Sequence, residues 1–353
     1  ERSGALDIAM GSSSETQPRL IWPGAPAGGV AVALKSAVKF DPAGLRFDAL
    51  RASIGQNDIS GRLGVGFGRP TLVDGELKAA SLDLPALMAA IGGVAAQGEK
   101  AGWSETPFGT NGWPTMIGAV SLNAVRATIL PSIRVTNLRT GLRFTGSDVV
   151  AEQIDAEIYG GRLSGETVMR RGGEGLGVSG RIALRDADAS LMLAPENASV
   201  LTGRVGLQVQ FEGAGLSPRA LIGSLNGSGK ITLDKARIAA FDPKVFAAAI
   251  RSVDQGLPLD AARIRDVVAR ALELGPLVVN TAEAQLSIAA GVVRIESFAA
   301  RSDGADLVAS GSYNLADFGL DARVSLQGAA SVGVALRPEL AIQLKGPVLA
   351  PQK

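Results

Sequence analysis

A strand-rich unit that recurs is the feature that most constrains this chain. Its fullest copy reads Ile154-Asp155-Ala156-Glu157-Ile158-Tyr159-Gly160-Gly161-Arg162-Leu163-Ser164-Gly165. Three copies open on an apolar-Arg-apolar triplet: Leu45-Arg46-Phe47, Leu142-Arg143-Phe144 and Val293-Arg294-Ile295. Each then alternates toward a glycine, Gly61, Gly165 and Gly311, with the second copy the longest. An Asp-led apolar segment also recurs, at Leu82-Asp83-Leu84, Ala187-Asp188-Ala189 and Phe241-Asp242-Pro243. A unit of this kind cannot bury its apolar face alone, so repetition predicts stacking along the chain. The expected fold is mainly β: an elongated antiparallel β-sheet or groove built from repeated strand-rich units, with a few short packed helices.

Composition narrows the chemistry. Hydrophobic residues make up 46% of the 353 positions, but aromatics only 4%. Val, Ile, Leu and Ala therefore supply the apolar surface, and 45 glycines serve turns and bulges. Histidine and cysteine are both absent. That excludes Ser-His-Asp and Cys-His catalysis together with zinc and iron–sulfur sites. No catalytic residue, metal ligand or cofactor is assigned, and the chain is expected not to be an enzyme. A formal charge of +1 with no basic stripe argues against nucleic acid. The longest apolar candidate, Leu84 to Ala96, is too short to span a bilayer and is broken by Gly92-Gly93. The chain begins at Glu1 without a signal-peptide pattern and is expected to be a piece of something longer.

Along the chain, residues 1–97 read as the end of a preceding β-rich unit with one short helix. Ala31-Val32-Ala33-Leu34-Lys35 and Leu63-Gly64-Val65-Gly66-Phe67 alternate as strands. Asp83 is the expected cap of a helix carrying Leu84, Leu87, Met88 and Ile91 on one stripe. Residues 98–116, rich in Gly and Pro, read as a linker. Residues 117–350 form a second β domain with a two-helix insertion at 242–274. Its strands include Val205 to Phe211 and Lys230 to Asp234. Its helices start at Asp242-Pro243 and Asp260, the second stopping at Gly275-Pro276.

Several motifs invite chemistry and have plainer explanations. Gly175 to Gly180 matches a dinucleotide fingerprint but precedes a strand, which favours a glycine-rich hairpin loop. Gly227-Ser228-Gly229-Lys230 lacks the hydroxyl of a phosphate loop, since Ile231 follows, and reads as a turn into a strand. The pairs Asp155/Glu157, Asp186/Asp188 and Asp303/Asp306 read as solvated strand faces and turn caps before acid–base or calcium roles. Trp103, Phe108 and Trp113 are expected to pack the linker onto the sheet, with a membrane interface as the alternative.

The order of these elements carries a resemblance. Ala156 to Gly165, then Gly180 and Asp188, Leu201-Thr202-Gly203, Phe211 to Gly215, Leu225 to Ile231 and Ala239 to Asp242 follow one another as in the C-terminal region of AsmA-like proteins. With the two-helix insertion and the strands from Val293 to Gly311, the likeness covers roughly residues 100–345, and it extends to TamB/YhdP-type envelope proteins. The resemblance implies a periplasmic protein of a Gram-negative envelope, held to the inner membrane by an N-terminal helix missing from this piece, and a role in outer-membrane homeostasis. It implies as partner a phospholipid or other acyl-chain lipid, with envelope proteins as further partners.

The alternation itself is compatible with lipid binding. An acyl chain of about 14 methylenes costs on the order of 11 kcal/mol to expose to water. A sheet curled around an apolar face would lower that barrier. The residues expected to line the groove are Val205, Leu207, Val209, Phe211, Ile231, Leu233, Leu286, Ile288 and Ile295. The same alternation also builds an ordinary sandwich core. The other function in view is a scaffold or assembly factor for outer-membrane proteins or envelope components, binding through sheet edges.

Overall fold

The structure is a computed structural model that describes residues 6–7, 19–20, 30–54, 57–87, 102–108, 115–130, 133–172, 175–193, 195–247, 261–328 and 338–347. Strands dominate these residues, as the alternation predicts. They fall into two compact units. The first comprises residues up to Ile158 with Arg162–Ala183 and Gln210–Asn226, and the second Tyr159–Gly161, Leu184–Val209 and Gly227 onward.

In the first unit, after the two-residue strands β1 (Leu6–Asp7) and β2 (Arg19–Leu20), four strands form an antiparallel meander. These are β3 (Val30–Asp41), β4 (Gly44–Ile54), β5 (Asn57–Gly66) and β6 (Thr71–Asp83). Next to β6 lies β7 (Met116–Leu130), and the two are parallel. Parallel neighbours cannot be joined by a tight hairpin turn. The antiparallel pattern resumes with β8 (Ile133–Gly146) and β9 (Asp148–Ile158). Asn57, almost wholly buried, ties the end of β6 to the β4–β5 connection. Its Oδ1 accepts the Asp83 N–H at 2.5 Å and its Nδ2 donates to Ile54 O at 3.2 Å.

Besides β13 (Asn226–Ile238), whose first residue alone belongs to the first unit, three strands contribute residues to both units: β10 (Gly161–Gly172), β11 (Gly175–Asp188) and β12 (Leu201–Gly215). In the second unit β13 starts an antiparallel meander. It continues through β14 (Leu277–Ala289), β15 (Val292–Ser302), β16 (Ala305–Asn314), β17 (Gly319–Gly328) and β18 (Glu339–Pro347).

The recurring unit is a bulged hairpin. Its first and third copies are β4–β5 and β15–β16, in which the register shifts between Phe47 and Leu50 and between Ile295 and Phe298. The second copy needs correction. Leu142-Arg143-Phe144 lies on β8, one strand too early, and the equivalent hairpin is β9–β10, with Gln153 left-handed at its bulge. Any strand with an apolar inner face and an outward arginine carries such a triplet, so the triplet does not fix the register. The closing glycines do have a shared reason. A Cβ on Gly61 would stand 2.0 Å from Glu76 O, one on Gly165 2.3 Å from Arg181 O, and one on Gly311 2.8 Å from Asp321 O. Only a residue without Cβ lets the neighbouring backbone come this close.

Each Asp-led segment is a cap. Asp83 Oδ1 accepts the Ala86 N–H at 2.9 Å and starts a helical turn at 84–87; Met88 and Ile91 lie outside the described residues. Asp188 Oδ1 accepts the Ser190 N–H at 3.0 Å ahead of a 3-10 turn, Ala189–Met192. Asp242 Oδ1 accepts the Lys244 N–H at 2.9 Å before a helical stretch at 245–247. The second inserted helix spans Ala261–Leu272, with Val267, Val268 and Ala271 turned inward. It ends three residues before Gly275, and its expected start, Asp260, lies outside the described residues.

Three expectations change. Gly175 to Gly180 is the first half of β11, not a hairpin loop, and Gly227 to Lys230 lies within β13, not in a turn. A helix that alternation does not suggest, α1 (Pro218–Gly223), follows β12, and the Ser217 Oγ caps it by accepting the Ala220 N–H. Residues 102–108 of the expected linker join that helix: Arg219 N–H donates to Ser104 O at 3.0 Å and Phe108 N–H to Leu216 O at 2.7 Å. Trp113 lies outside the described residues.

Candidate functional site

Within each unit the sheet has a polar outer face and an apolar inner one. Cross-strand ion pairs mark the outer face of the first unit: Lys39–Asp48, Arg62–Glu76, Arg143–Glu152 and Arg162–Asp155. Lys230–Glu283, Arg323–Glu339 and Lys345–Asp321 do so in the second. Of the carboxylate pairs, Asp155/Glu157 lies on this outer face. Asp155 receives Arg162 Nε at 2.6 Å and Nη2 at 2.8 Å, and Glu157 Oε2 accepts from Asn137 Nδ2 at 3.1 Å. The Arg162 guanidinium holds the Asp155 carboxyl below the ordinary range, and Arg170 does the same for Asp148. Among the described residues no group of three acidic side chains converges where a metal ion would sit.

The inner face changes character along the strands. In the first unit, the end beside the 84–87 turn is sealed: Leu82, Ala127, Val135 and Ala156 are at most 2% exposed. Toward the other end Leu45, Phe47, Leu63, Val73, Leu142 and Phe144 are half-buried. The second unit repeats the gradient. Ala236, Leu277, Val279 and Ala300 are completely covered at the end where the 242–247 and 261–272 segments pack. Phe246 reaches Gly328 there, its ring atoms 3.1 Å from where a Cβ would stand. At the opposite end Leu207, Val209, Ile231, Ile295, Ala322 and Leu344 are half-buried, although Leu286 and Ile288 there are covered.

Bulges lie between the two zones and reset which residues face inward. Ala49 on β4, Asn137 on β8, Gln153 on β9, Asp186 on β11 and Lys235 on β13 all take left-handed φ values near 50°. For an L-residue this conformation costs roughly 1–2 kcal/mol, so local contacts must offset it. Two bulges share one solution. Ser36 Oγ–H donates to Asp48 O at 2.9 Å, and Thr140 Oγ1–H donates to Glu152 O at 2.9 Å. Each bulge acid is then gripped from the same preceding strand, Asp48 by Lys39 and Glu152 by Arg143. Bulges of this kind bend a strand and increase its twist, which makes the inner face concave. The sequence carries this clasp as a hydroxyl twelve residues and a cation nine residues before an acid, a spacing that alternation alone does not single out.

Eight of the nine expected lining residues lie in the second unit and share its inner face. Gly227 pairs with Ile288 and Ile231 with Ala284, while Ile288 pairs with Val293 and Ile295 with Gly311. Gly203 sits against Ala236, which puts Val205, Leu207 and Val209 on that face too. Four of the eight, Val205, Leu233, Leu286 and Ile288, are buried at 7–9% exposure; the other four are half-buried. Phe211 lies in the first unit, its ring edge 3.2 Å from where a Cβ on Gly180 would stand. Gly206, one residue out of phase, opens instead on the outer face. A polar cleft of about 290 Å³ there is lined by Arg204, Lys230, Thr232 and Asp234.

A concave apolar sheet face, covered at one end by Asp-capped helical segments, defines the architectural class. The sequence profile of the AsmA family matches residues 75–298, from within β6 to within β15, and the chain belongs to that family. Membership points to work at the cell envelope. Neither a curated protein nor a solved structure matches the chain. No helix among the described residues is long and apolar enough to cross a membrane.

Proposed function

We propose that the protein binds acyl-chain lipid on the inner face of its sheet and supports lipid movement in outer-membrane homeostasis, from a periplasmic position. The row Leu207, Val209, Ile231 and Ile295, half-buried where Leu277 and Val279 are fully covered, carries this reading. A sandwich core would cover these side chains as completely as Leu277 and Val279 are covered. An acyl chain laid on the row regains about 0.8 kcal/mol for each methylene withdrawn from water. The headgroup stays in solvent and needs no dedicated partner, and no bond is made or broken, so the reading requires no catalytic group. Scarcity of aromatics keeps the face smooth and its contacts non-directional, as cargo that must slide requires.

Purification without detergent followed by lipid mass spectrometry tests the proposal. Co-purified phospholipid is expected, and Leu207→Arg or Ile231→Arg should abolish it while the fold persists. Lipid-free protein, combined with envelope function undiminished in both variants, would exclude the reading. Crosslinks to proteins alone, formed at strand edges, would favour a scaffold instead.

A further inference from the structure

We infer that β18 is a self-pairing edge, whose partner is the same strand of a second copy of this chain, antiparallel about a two-fold axis at Ile342. Among the described residues β18 is bonded on one side only, to β17, in unbroken register from Glu339 opposite Gln327 to Pro347 opposite Gly319. Its other side presents alternate backbone N–H and C=O groups, and an extended strand is what satisfies them. The usual protections of an edge are missing. No register shift interrupts the strand, its one proline stands at the end, and both its charged side chains lie on the exposed face. The first long strand of the other unit differs, because β1 and β2 pair with β3 on the side away from β4.

The side chains select both occupant and register. Leu340, Ile342 and Leu344 are half-buried and share a face with Leu326, Val324 and Ala322, their partners on β17. Glu339, Ala341, Gln343 and Lys345 are exposed on the opposite face. With an acid at one end and a cation at the other, the strand is complementary to its own reverse. Pairing Ile342 with Ile342 of the second copy sets Glu339 opposite Lys345 at both ends, Ala341 opposite Gln343, and Leu340 opposite Leu344. Moving the axis by one residue breaks both charge pairs, and moving it by half a residue sets apolar side chains opposite polar ones. Within one copy Arg323 already reaches Glu339 and Lys345 reaches Asp321, each at 3.3 Å. In the dimer these pairs join end to end, Asp321–Lys345 against Glu339–Arg323 of the second copy, so signs alternate and no like charges meet. An axis normal to the sheet keeps both apolar faces on one side. The pairing needs no lipid and stands or falls apart from acyl binding.

Sedimentation velocity over a range of concentrations, with oxidation of single-cysteine variants, tests this. A concentration-dependent dimer is expected. The chain has no cysteine of its own. Ile342→Cys meets itself across the axis and should crosslink into a covalent dimer. Ala341→Cys and Leu344→Cys face other residues and should crosslink about tenfold more slowly or less. Glu339→Lys and Lys345→Glu should each weaken the dimer about tenfold or more, because each sets like charges opposite one another at both ends. An equal mixture of these two variants should regain the parental affinity, since the strand bearing two lysines then pairs with the strand bearing two glutamates. Should Ile342→Cys misfold by circular dichroism, the mixture of exposed-charge variants decides. A monomer at every concentration overturns the inference. So does a dimer indifferent to both charge reversals, one that the mixture fails to restore, or crosslinking as fast at Ala341→Cys as at Ile342→Cys.

Discussion

Ser36 and Thr140 hold the curvature of the first unit. Each hydroxyl spans to a bulge carbonyl, and each bulge acid is paired from the same preceding strand, so β3–β4 and β8–β9 carry one device twice. Thr140→Val keeps the side-chain volume and removes the donor to Glu152 O. It should cost about 1 kcal/mol, read from urea unfolding, since a partly buried carbonyl loses its hydrogen bond. An unchanged midpoint would show that the bulge holds itself.

Acid titration offers a second test at this scale. Asp48, Asp148 and Asp155 have their carboxyl pKa values lowered, by Lys39, Arg170 and Arg162 respectively. A lowered folded pKa contributes stability above the unfolded value and loses it as pH falls through the folded one. Stability should therefore be flat from about pH 5 to 8, where no histidine or cysteine titrates, and decline below about pH 4. Asp155→Asn should flatten part of that decline without changing its neutral-pH plateau by more than a surface pair does. A steep change between pH 5 and 8 would point to a group outside this set.

Among the elements, the Asp-led segments were fully legible in the sequence because capping is local: an acid, two or three residues and a free N–H suffice. All three aspartates perform it. Asp242 does more, since its own N–H donates to Leu272 O at 3.2 Å and so links the two inserted helical segments. Asp242→Ala should destabilise the second unit by about 1–2 kcal/mol in denaturant, the upper part of the capping range. An equal effect from Asp188→Ala would argue that burial of Asp242 adds nothing. What alternation could not show was register. Leu142 to Phe144 looked like the start of a repeat because inward-apolar, outward-Arg patterning occurs on any such strand, and the bulge that distinguishes copies is a backbone event. Likewise Gly175 to Gly180 suggested a loop, although glycines there let β11 run close to its neighbours: a Cβ on Gly180 would stand 2.6 Å from Glu166 O. The α1 helix had a readable signal, Ser217 followed by Pro218, that strand periodicity overshadowed.

For the whole molecule, the mainly β class and the AsmA family were both legible, because period-two alternation and motif order survive without register. Which inner-face residues stay open was not, since cover depends on helical segments distant in sequence: Phe246 against Gly328, and Pro243 near Gly304. That division into sealed and open zones is what makes acyl binding a sharper proposal than alternation alone allows. Site-specific photocrosslinking measures it most directly, with the probe placed at Leu207 or Ile231 on the half-buried inner face and at Gln208 or Lys235 on the outer face. Lipid adducts from the first two positions and none from the second two are the predicted result. Equal labelling from both faces, or adducts from neither, would contradict the account.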